Sequence, residues 1–228
     1  MNVQMHDHPD RPTTRTSARL PLALKLAYTA FMAVLIPVYW YYYGPTNFLY
    51  FCDVALILTL AGIWLESALL VSMCAVGITG SQALWIVDLV SNLAGVSLTG
   101  MTDYMFEAQR PLLLRGLSLF HGWLPFLALF LVWKLGYDPR AFAAWTGLAW
   151  ALILICFFFM PPPRPDPGLT PVNINYVWGF SDHAPQTWVH PWVWLAGLIV
   201  GAPLLLFAPV HAALARWMPK PALATVTA

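Results

Sequence analysis

A cysteine, an aspartate and a histidine are the residues of this 228-residue chain best suited to chemistry in apolar surroundings. Cys52 and Asp53 closely follow Asn47, and His121 lies in a later apolar run. A thiol becomes a nucleophile when a nearby imidazole takes its proton, and a carboxylate can orient the ring. The sequence therefore predicts Cys52 as a nucleophile and His121 as its base, with Asp88 or Asp53 as the orienting carboxylate.

Other uses of the same residues stay open. Asp53, Asp88 and His121 could hold a metal ion, but no HxxxH or ExxH spacing supports this, so we expect neither metal nor cofactor. The same side chains could form a proton or ion relay, which is a typical role of ionisable residues in membrane helices. In a purely structural alternative, Arg115 pairs with Asp53 or Asp88 and ties helices together.

Composition indicates an integral membrane protein. Hydrophobic residues make up 60% of the chain and charged residues only 9%, whereas ordinary soluble domains carry about 25% charged residues. The net charge of +1 and the scattered Lys and Arg exclude nucleic acid as a main partner. The 3 cysteines, none in CxxC spacing, give neither a disulfide framework nor a zinc site.

The apolar runs predict an all-α, polytopic fold, because a helix needs about 20 apolar residues to cross the hydrocarbon core. We expect six membrane-spanning helices, at residues 20–43, 48–65, 68–90, 112–135, 141–160 and 192–213. They form one transmembrane domain over residues 20–213, between polar tails at 1–19 and 214–228. The first apolar run is longer than that of a secretory signal, so we expect a retained helix.

The positions of Lys and Arg predict the orientation of the helices. With the N-terminus inside, eight of the 11 lie in inner segments and three in outer segments. The inner set is Arg11, Arg15, Arg19, Lys25, Lys134, Arg140, Arg216 and Lys220, and the outer set is Arg110, Arg115 and Arg164. Both termini are therefore expected in the cytoplasm of a bacterium, with the chain in its inner (plasma) membrane. The expected partners are membrane lipids, with a homo-oligomer or another membrane protein as alternatives.

With this topology, polar residues of three spans fall in the outer leaflet. At 1.5 Å per residue, Cys52 and Asp53 lie roughly 8 Å below the outer surface and His121 about 15 Å below it. Asn47 is a candidate oxyanion donor there. Two long outer segments, 91–111 and 161–191, could cap the site. The expected substrate-binding residues are Asn47, Arg115, Ser118, Asp103, Asn173, Asn175 and Tyr176.

Three stretches of sequence carry a resemblance to a known family. They are GPTNFLYFCD at residues 44–53, RGLSLFHGW at 115–123 and NINY at 173–176. With them, the chain from residue 42 to about residue 186 resembles a family of uncharacterised bacterial multi-spanning membrane proteins. That resemblance implies the fold and no activity.

A more distant similarity implies a function. The order of a nucleophile on an early helix and a histidine on a later one is similar to that in the androgen-induced intramembrane hydrolases of fatty-acid esters, which use Thr and His. The same order is also similar to that in membrane acyltransferases that use Cys and His. The similarity implies that Cys52 carries the acyl group and that His121 is the general base. The chain departs from the pattern at Asp53, whose charge disfavours a thiolate unless Arg115 neutralises it.

These observations predict an intramembrane lipid acyl hydrolase or acyltransferase with a polar site in the outer leaflet. The alternative is a small transporter, a lipid-binding scaffold or an accessory membrane subunit that uses the same polar cluster.

Overall fold

The computed structural model describes residues 20–221, so the tail at 1–19 and the end of the other tail, 222–228, lie outside the described residues. Every regular element between residues 20 and 221 is a helix, which confirms the predicted all-α class. The α-helices are α1 (Leu22–Tyr42), α2 (Phe51–Leu65), α3 (Ala68–Leu93), α4 (Leu112–Ser118), α5 (Phe120–Leu135), α6 (Arg140–Phe159), α7 (Pro191–Gly201) and α8 (Ala208–Trp217).

Within residues 20–221, five helical stretches are long and apolar enough to cross a membrane: Leu22–Tyr42, Ala68–Leu93, Leu112–Leu135, Arg140–Phe159 and Pro191–Trp217. They confirm that the chain is a helical membrane protein. The remaining predicted span, α2, has 15 residues and is about 22 Å long, less than the 30 Å of a typical hydrocarbon core.

The chain enters α2 through a short helical turn rather than directly. Gly44 adopts φ 81°, which ends α1 in a conformation that side chains other than glycine disfavour. A 3₁₀ helix, Pro45–Leu49, follows, and Tyr50 is extended at φ −63° and ψ 140°. Because Tyr50 breaks the helical path, α2 begins at Phe51 rather than at the predicted residue 48.

Two predicted spans are interrupted. The predicted span 112–135 divides at Leu119 into α4 and α5. A π-helical turn at Ala202–Phe207 separates α7 from α8. Pro203 has no N–H to donate to the carbonyl of Ile199, four residues earlier. The indole N–H of Trp150 on α6 donates to that carbonyl instead, at 2.8 Å, so the π-helical turn leaves this carbonyl satisfied.

Helix α3 is the centre of the bundle and packs against α2, α5 and α6. Gly77 on α3 lies directly against the indole of Trp145 on α6, which is fully buried. The absence of a side chain at Gly77 lets the two helices approach closely around this large ring.

Both ends of the described chain meet at one end of the bundle. The N–H of Leu20 donates to the Glu66 carboxylate, in the turn between α2 and α3. Nearby, the N–H of Asp138, in the turn between α5 and α6, donates to Ser72 Oγ at 3.0 Å. The neighbouring N–H of Tyr137 donates to the carbonyl of Pro219 at 2.7 Å. The opposite end carries the segments between α1 and α2, α3 and α4, and α6 and α7.

We expect Gly77→Ala to destabilise the fold, because its Cβ would overlap the Trp145 indole. Overpacking of this kind costs about 1–3 kcal/mol. The midpoint of thermal unfolding in detergent, followed by far-UV circular dichroism, should fall. Gly147→Ala on α6 is the matched control, since its Cβ would meet no atom within 4 Å. Equal midpoints for the two variants would contradict the prediction.

Candidate functional site

Asp53 is a buried carboxyl with only one of its two oxygens satisfied. It lies in the first turn of α2, and the residue is 3% exposed. Oδ2 accepts a hydrogen bond from Asn47 Nδ2 at 3.2 Å, and Cys52 Sγ lies 3.8 Å from the same oxygen. Oδ1 is buried and has no hydrogen-bond partner among residues 20–221. The structure therefore brings Asn47, Cys52 and Asp53 together, as the sequence predicts.

No cationic side chain in the described part of the chain pairs with Asp53. The ion pairs there are Lys25–Glu66, Arg110–Glu107 and Arg140–Asp138. Arg115 instead donates from Nη1 to the carbonyl of Met105 at 3.2 Å, and its buried Nε has no partner within residues 20–221. The described residues thus do not show the structural alternative in which Arg115 ties Asp53 or Asp88 to α4.

Two tyrosines of α1 and its C-terminal end extend the cluster. The hydroxyl of Tyr39 lies 3.0 Å from Ser118 Oγ. The hydroxyl of Tyr43 accepts a hydrogen bond from Arg110 Nη1 at 3.1 Å. The two rings meet edge to face with centroids 5.1 Å apart. The charge of Asp53 would act on both phenols, and α1 with its C-terminal end contributes these two aromatic rings.

Tyr104 and Trp85 add aromatic groups from the loop after α3 and from α3 itself. Burial raises the pKa of the Tyr104 phenol above its usual range, and the hydroxyl of Ser118 and the indole of Trp85 face it and oppose this shift. The guanidinium of Arg110 lies 5.1 Å from the Tyr104 ring centroid. The indole Nε1 of Trp85 is buried without a well-aligned hydrogen-bond partner in the described structure.

His121 is held by its own helix and by aromatic stacking. Its Nδ1 lies 2.7 Å from the carbonyl oxygen of Ser118, which assigns the proton to Nδ1 and leaves Nε2 as an acceptor. The ring stacks on Phe120, with centroids 4.0 Å apart, and on Trp85, with centroids 5.0 Å apart. Among the described residues, no hydrogen bond joins His121 to Cys52, whose polar contact is Asp53. The structure therefore does not bring the predicted nucleophile and base into contact.

Asp88 serves the loop after α3 rather than His121. Its two carboxylate oxygens accept four hydrogen bonds, from the backbone N–H and the hydroxyl of both Thr99 and Thr102, at 2.6–2.9 Å. Asp103, in the same loop, accepts from Asn92 and Ser97 at 2.8 and 2.9 Å. The predicted orienting role of Asp88 and the predicted substrate-binding role of Asp103 therefore have no supporting contact. Both carboxylates hold the loop against α3.

The segment between α6 and α7 docks onto the start of α2 through Asn175. This side chain accepts from the N–H of Phe51 at 3.0 Å and donates to the carbonyl of Leu49 at 2.9 Å. Asn173 organises the segment itself, since it donates to the carbonyl of Gly179 and accepts from the N–H of Trp178, both at 2.8 Å. Tyr176 accepts at its carbonyl from the indole of Trp194. Asn173, Asn175 and Tyr176, which the sequence predicts to bind substrate, thus hydrogen-bond to backbone groups or offer their own, and they hold this segment in place over the start of α2.

Sequence analysis missed Tyr39, Tyr43, Trp85, Tyr104 and Arg110. Tyr39 and Tyr43 are four residues apart, a spacing that places both on one helix face and could have identified them within the run of aromatic residues. Trp85 is three residues from Asp88 and could have been identified in the same way. No sequence signal marks Tyr104 or Arg110, since their positions depend on the fold of the loop.

We expect Asn175→Ala to loosen the segment 161–190, because the Phe51 N–H and the Leu49 carbonyl both lose their partner. An unsatisfied buried backbone group costs about 1–3 kcal/mol. Hydrogen–deuterium exchange of this segment, measured by mass spectrometry in detergent, should become faster. Thr170→Ala changes an exposed residue of the same segment and serves as the control. Unchanged exchange in Asn175→Ala would show that the segment is held by other contacts.

No protein-family model matches the chain, and no curated protein or solved structure is significantly similar to it. The resemblance to uncharacterised bacterial membrane proteins and the distant similarity to intramembrane hydrolases and acyltransferases therefore stay predictions.

Proposed function

We propose that the chain is a six-span protein of the bacterial inner membrane with both termini in the cytoplasm. Contacts at one end of the bundle between segments near Leu20 and Pro219 support an even number of crossings. In this arrangement α2, extended by the 3₁₀ helix before it, is the short crossing. The excess of Lys and Arg in the predicted inner segments supports the orientation.

Cysteine accessibility tests this topology. In a variant whose native cysteines are alanine, Thr170→Cys should react with a membrane-impermeant maleimide in intact spheroplasts. Lys220→Cys should react only after permeabilisation, because the inner membrane shields the cytoplasmic side. The reverse pattern would place residue 220 outside and contradict the proposed topology, and labelling of both positions in intact spheroplasts would show that Pro191–Trp217 does not cross the membrane.

We further propose that the protein is a small transporter or lipid-binding protein that binds a polar group of its ligand at Asp53. The observation that carries this proposal is a buried carboxyl with one unpartnered oxygen and no cation beside it among the described residues. An ionisable side chain in a membrane helix costs about 2.5–3.5 kcal/mol on insertion scales. An unpaired buried acceptor adds about 1–3 kcal/mol. A carboxyl that is present in spite of these free-energy costs supports a role in binding.

The contacts support binding better than acyl transfer. Acyl transfer needs the thiol of Cys52 within hydrogen-bond reach of a base, whereas the polar neighbour of the thiol is the Asp53 carboxyl. His121 donates from Nδ1 to a backbone carbonyl, which leaves no carboxylate to orient it. The expected acyl hydrolase or acyltransferase activity is therefore the second proposal, and its test is the reactivity of Cys52.

A hydrophobic carbodiimide tests the binding site directly, since it adds to protonated carboxyls in apolar surroundings. In lipid nanodiscs it should modify Asp53 in the wild type, as seen by intact mass and peptide mapping, and should not modify that position in Asp53→Asn. Asp88 is the internal control, because its four hydrogen bonds should keep it ionised and unmodified.

The same samples separate the two proposals. Cys52→Ala should be modified at Asp53 like the wild type, and an acyl-thioester probe should leave Cys52 unlabelled in the wild type. A folded protein that is unreactive at Asp53 would overturn the binding proposal. Acyl label on Cys52 that disappears in His121→Ala would establish acyl transfer instead.

A further inference from the structure

We propose that the ligand group bound at Asp53 is a protonated amine with at least one N–H, carried by an amphiphilic molecule. The proposal rests on the proposed binding function and names the chemical class of its ligand. It is carried by a buried Asp53 oxygen without a hydrogen-bond partner among the described residues, and by the tyrosines at the C-terminal end of α1, from which the chain passes to Asn47 and Asp53.

The carboxyl defines what the ligand must supply. Asp53 Oδ1 is an acceptor without a donor in the described structure, while Oδ2 already accepts from Asn47. We expect the carboxyl to be protonated without a ligand; a bound ammonium supplies both the missing N–H and a positive charge, which lets the carboxyl ionise. Charge-assisted N⁺–H···O⁻ hydrogen bonds are about twice as strong as neutral ones. A hydroxyl would supply only the hydrogen bond, and an anion would be repelled.

The aromatic rings are suited to an organic cation. The guanidinium of Arg110 already lies 5.1 Å from the centroid of Tyr104 and 6.0 Å from that of Tyr43. It also donates to the Tyr43 hydroxyl. The negative faces of aromatic rings attract such cations, most strongly where water is excluded. Tyr43 and Tyr104 thus already bind an organic cation of the chain itself, on the side of the outer loop.

A hard metal cation fits the site less well. No group of three or more His, Cys, Asp or Glu side chains in the described part of the chain could hold a metal ion. Calcium and magnesium take at least six oxygen ligands, whereas Asp53 is a single carboxyl beside one amide and one thiol. Phenol rings and one carboxylate instead match an ammonium bonded to carbon.

The apolar surroundings indicate the rest of the ligand. Phe48, Phe51 and Cys52 belong to the partly buried side chains packed around the core next to the site. The site also lies at the outer end of helices whose other faces contact lipid. A ligand that reaches Asp53 from this side passes through the membrane interface, so it needs an apolar part as well as its amine.

Binding of tritiated octylamine to the full chain in nanodiscs of neutral lipid, measured by scintillation proximity, tests the proposal. We expect saturable binding that weakens roughly 10- to 100-fold in Asp53→Asn, the effect of losing a hydrogen bond to a charged group. Asp166→Asn is the matched control, because it removes an exposed carboxylate of the segment between α6 and α7 and should bind like the wild type. Size-exclusion profiles establish that each variant is folded.

Competition experiments on the wild type need no variant. Unlabelled octylamine should displace the probe, octanol should not, and octyltrimethylammonium, which has no N–H, should compete at least about tenfold more weakly. Equal competition by octanol would show that only the alkyl chain of the probe is recognised. Equal competition by octyltrimethylammonium would show that the N–H is not recognised. Either result, or unchanged binding in Asp53→Asn, overturns the proposal.

Carbodiimide labelling distinguishes this failure from failure of the proposed function. If Asp53 is modified by the carbodiimide but octylamine binding does not depend on it, the binding site stands and its ligand is not an amine. If Asp53 is not modified in the folded protein, the proposed function itself is wrong.

Discussion

Polar groups inside a membrane must find their partners within the protein, and this requirement explains most of the structure. Asp88 accepts four hydrogen bonds and thereby folds the loop after α3. Trp150 donates to the carbonyl that Pro203 leaves free at the π-helical turn. Asn175 satisfies a donor and an acceptor where the 3₁₀ helix passes into α2. Among the described residues, Asp53 is the one carboxyl with a buried oxygen that is not satisfied in this way.

The composition and the apolar runs were sufficient to predict the helical membrane class and most helix limits, because hydropathy over 20 residues is a strong signal. They were also sufficient to place Asn47, Cys52 and Asp53 together, since those residues are close in sequence. Sequence alone could not show that Asp88 faces a loop. Its partners are Thr99 and Thr102, whose backbone N–H groups and hydroxyls converge only after the loop has folded.

The relation between Cys52 and His121 shows a second limit of sequence. Depth in the membrane follows from counting residues along each span, but rotation about the helix axis depends on packing between helices. The sequence predicts a suitable depth for His121, yet stacking on Phe120 and Trp85 and a bond to the Ser118 carbonyl hold its ring. The break at Leu119 also separates α4 from α5, so the two parts of that span need not share one helical face.

The short helix α2 also has a consequence for the surrounding lipid. A helix about 22 Å long beside longer neighbours favours a bilayer that is locally thinned, because lipid adapts to a hydrophobic mismatch at a cost of a fraction of a kcal/mol per ångström. If α2 crosses the membrane, thinning on the side of its N-terminal end would bring head groups and water closer to its first turn. Acyl-chain length in the host membrane thereby becomes a physical variable that tunes the hydration of the carboxyl in that turn.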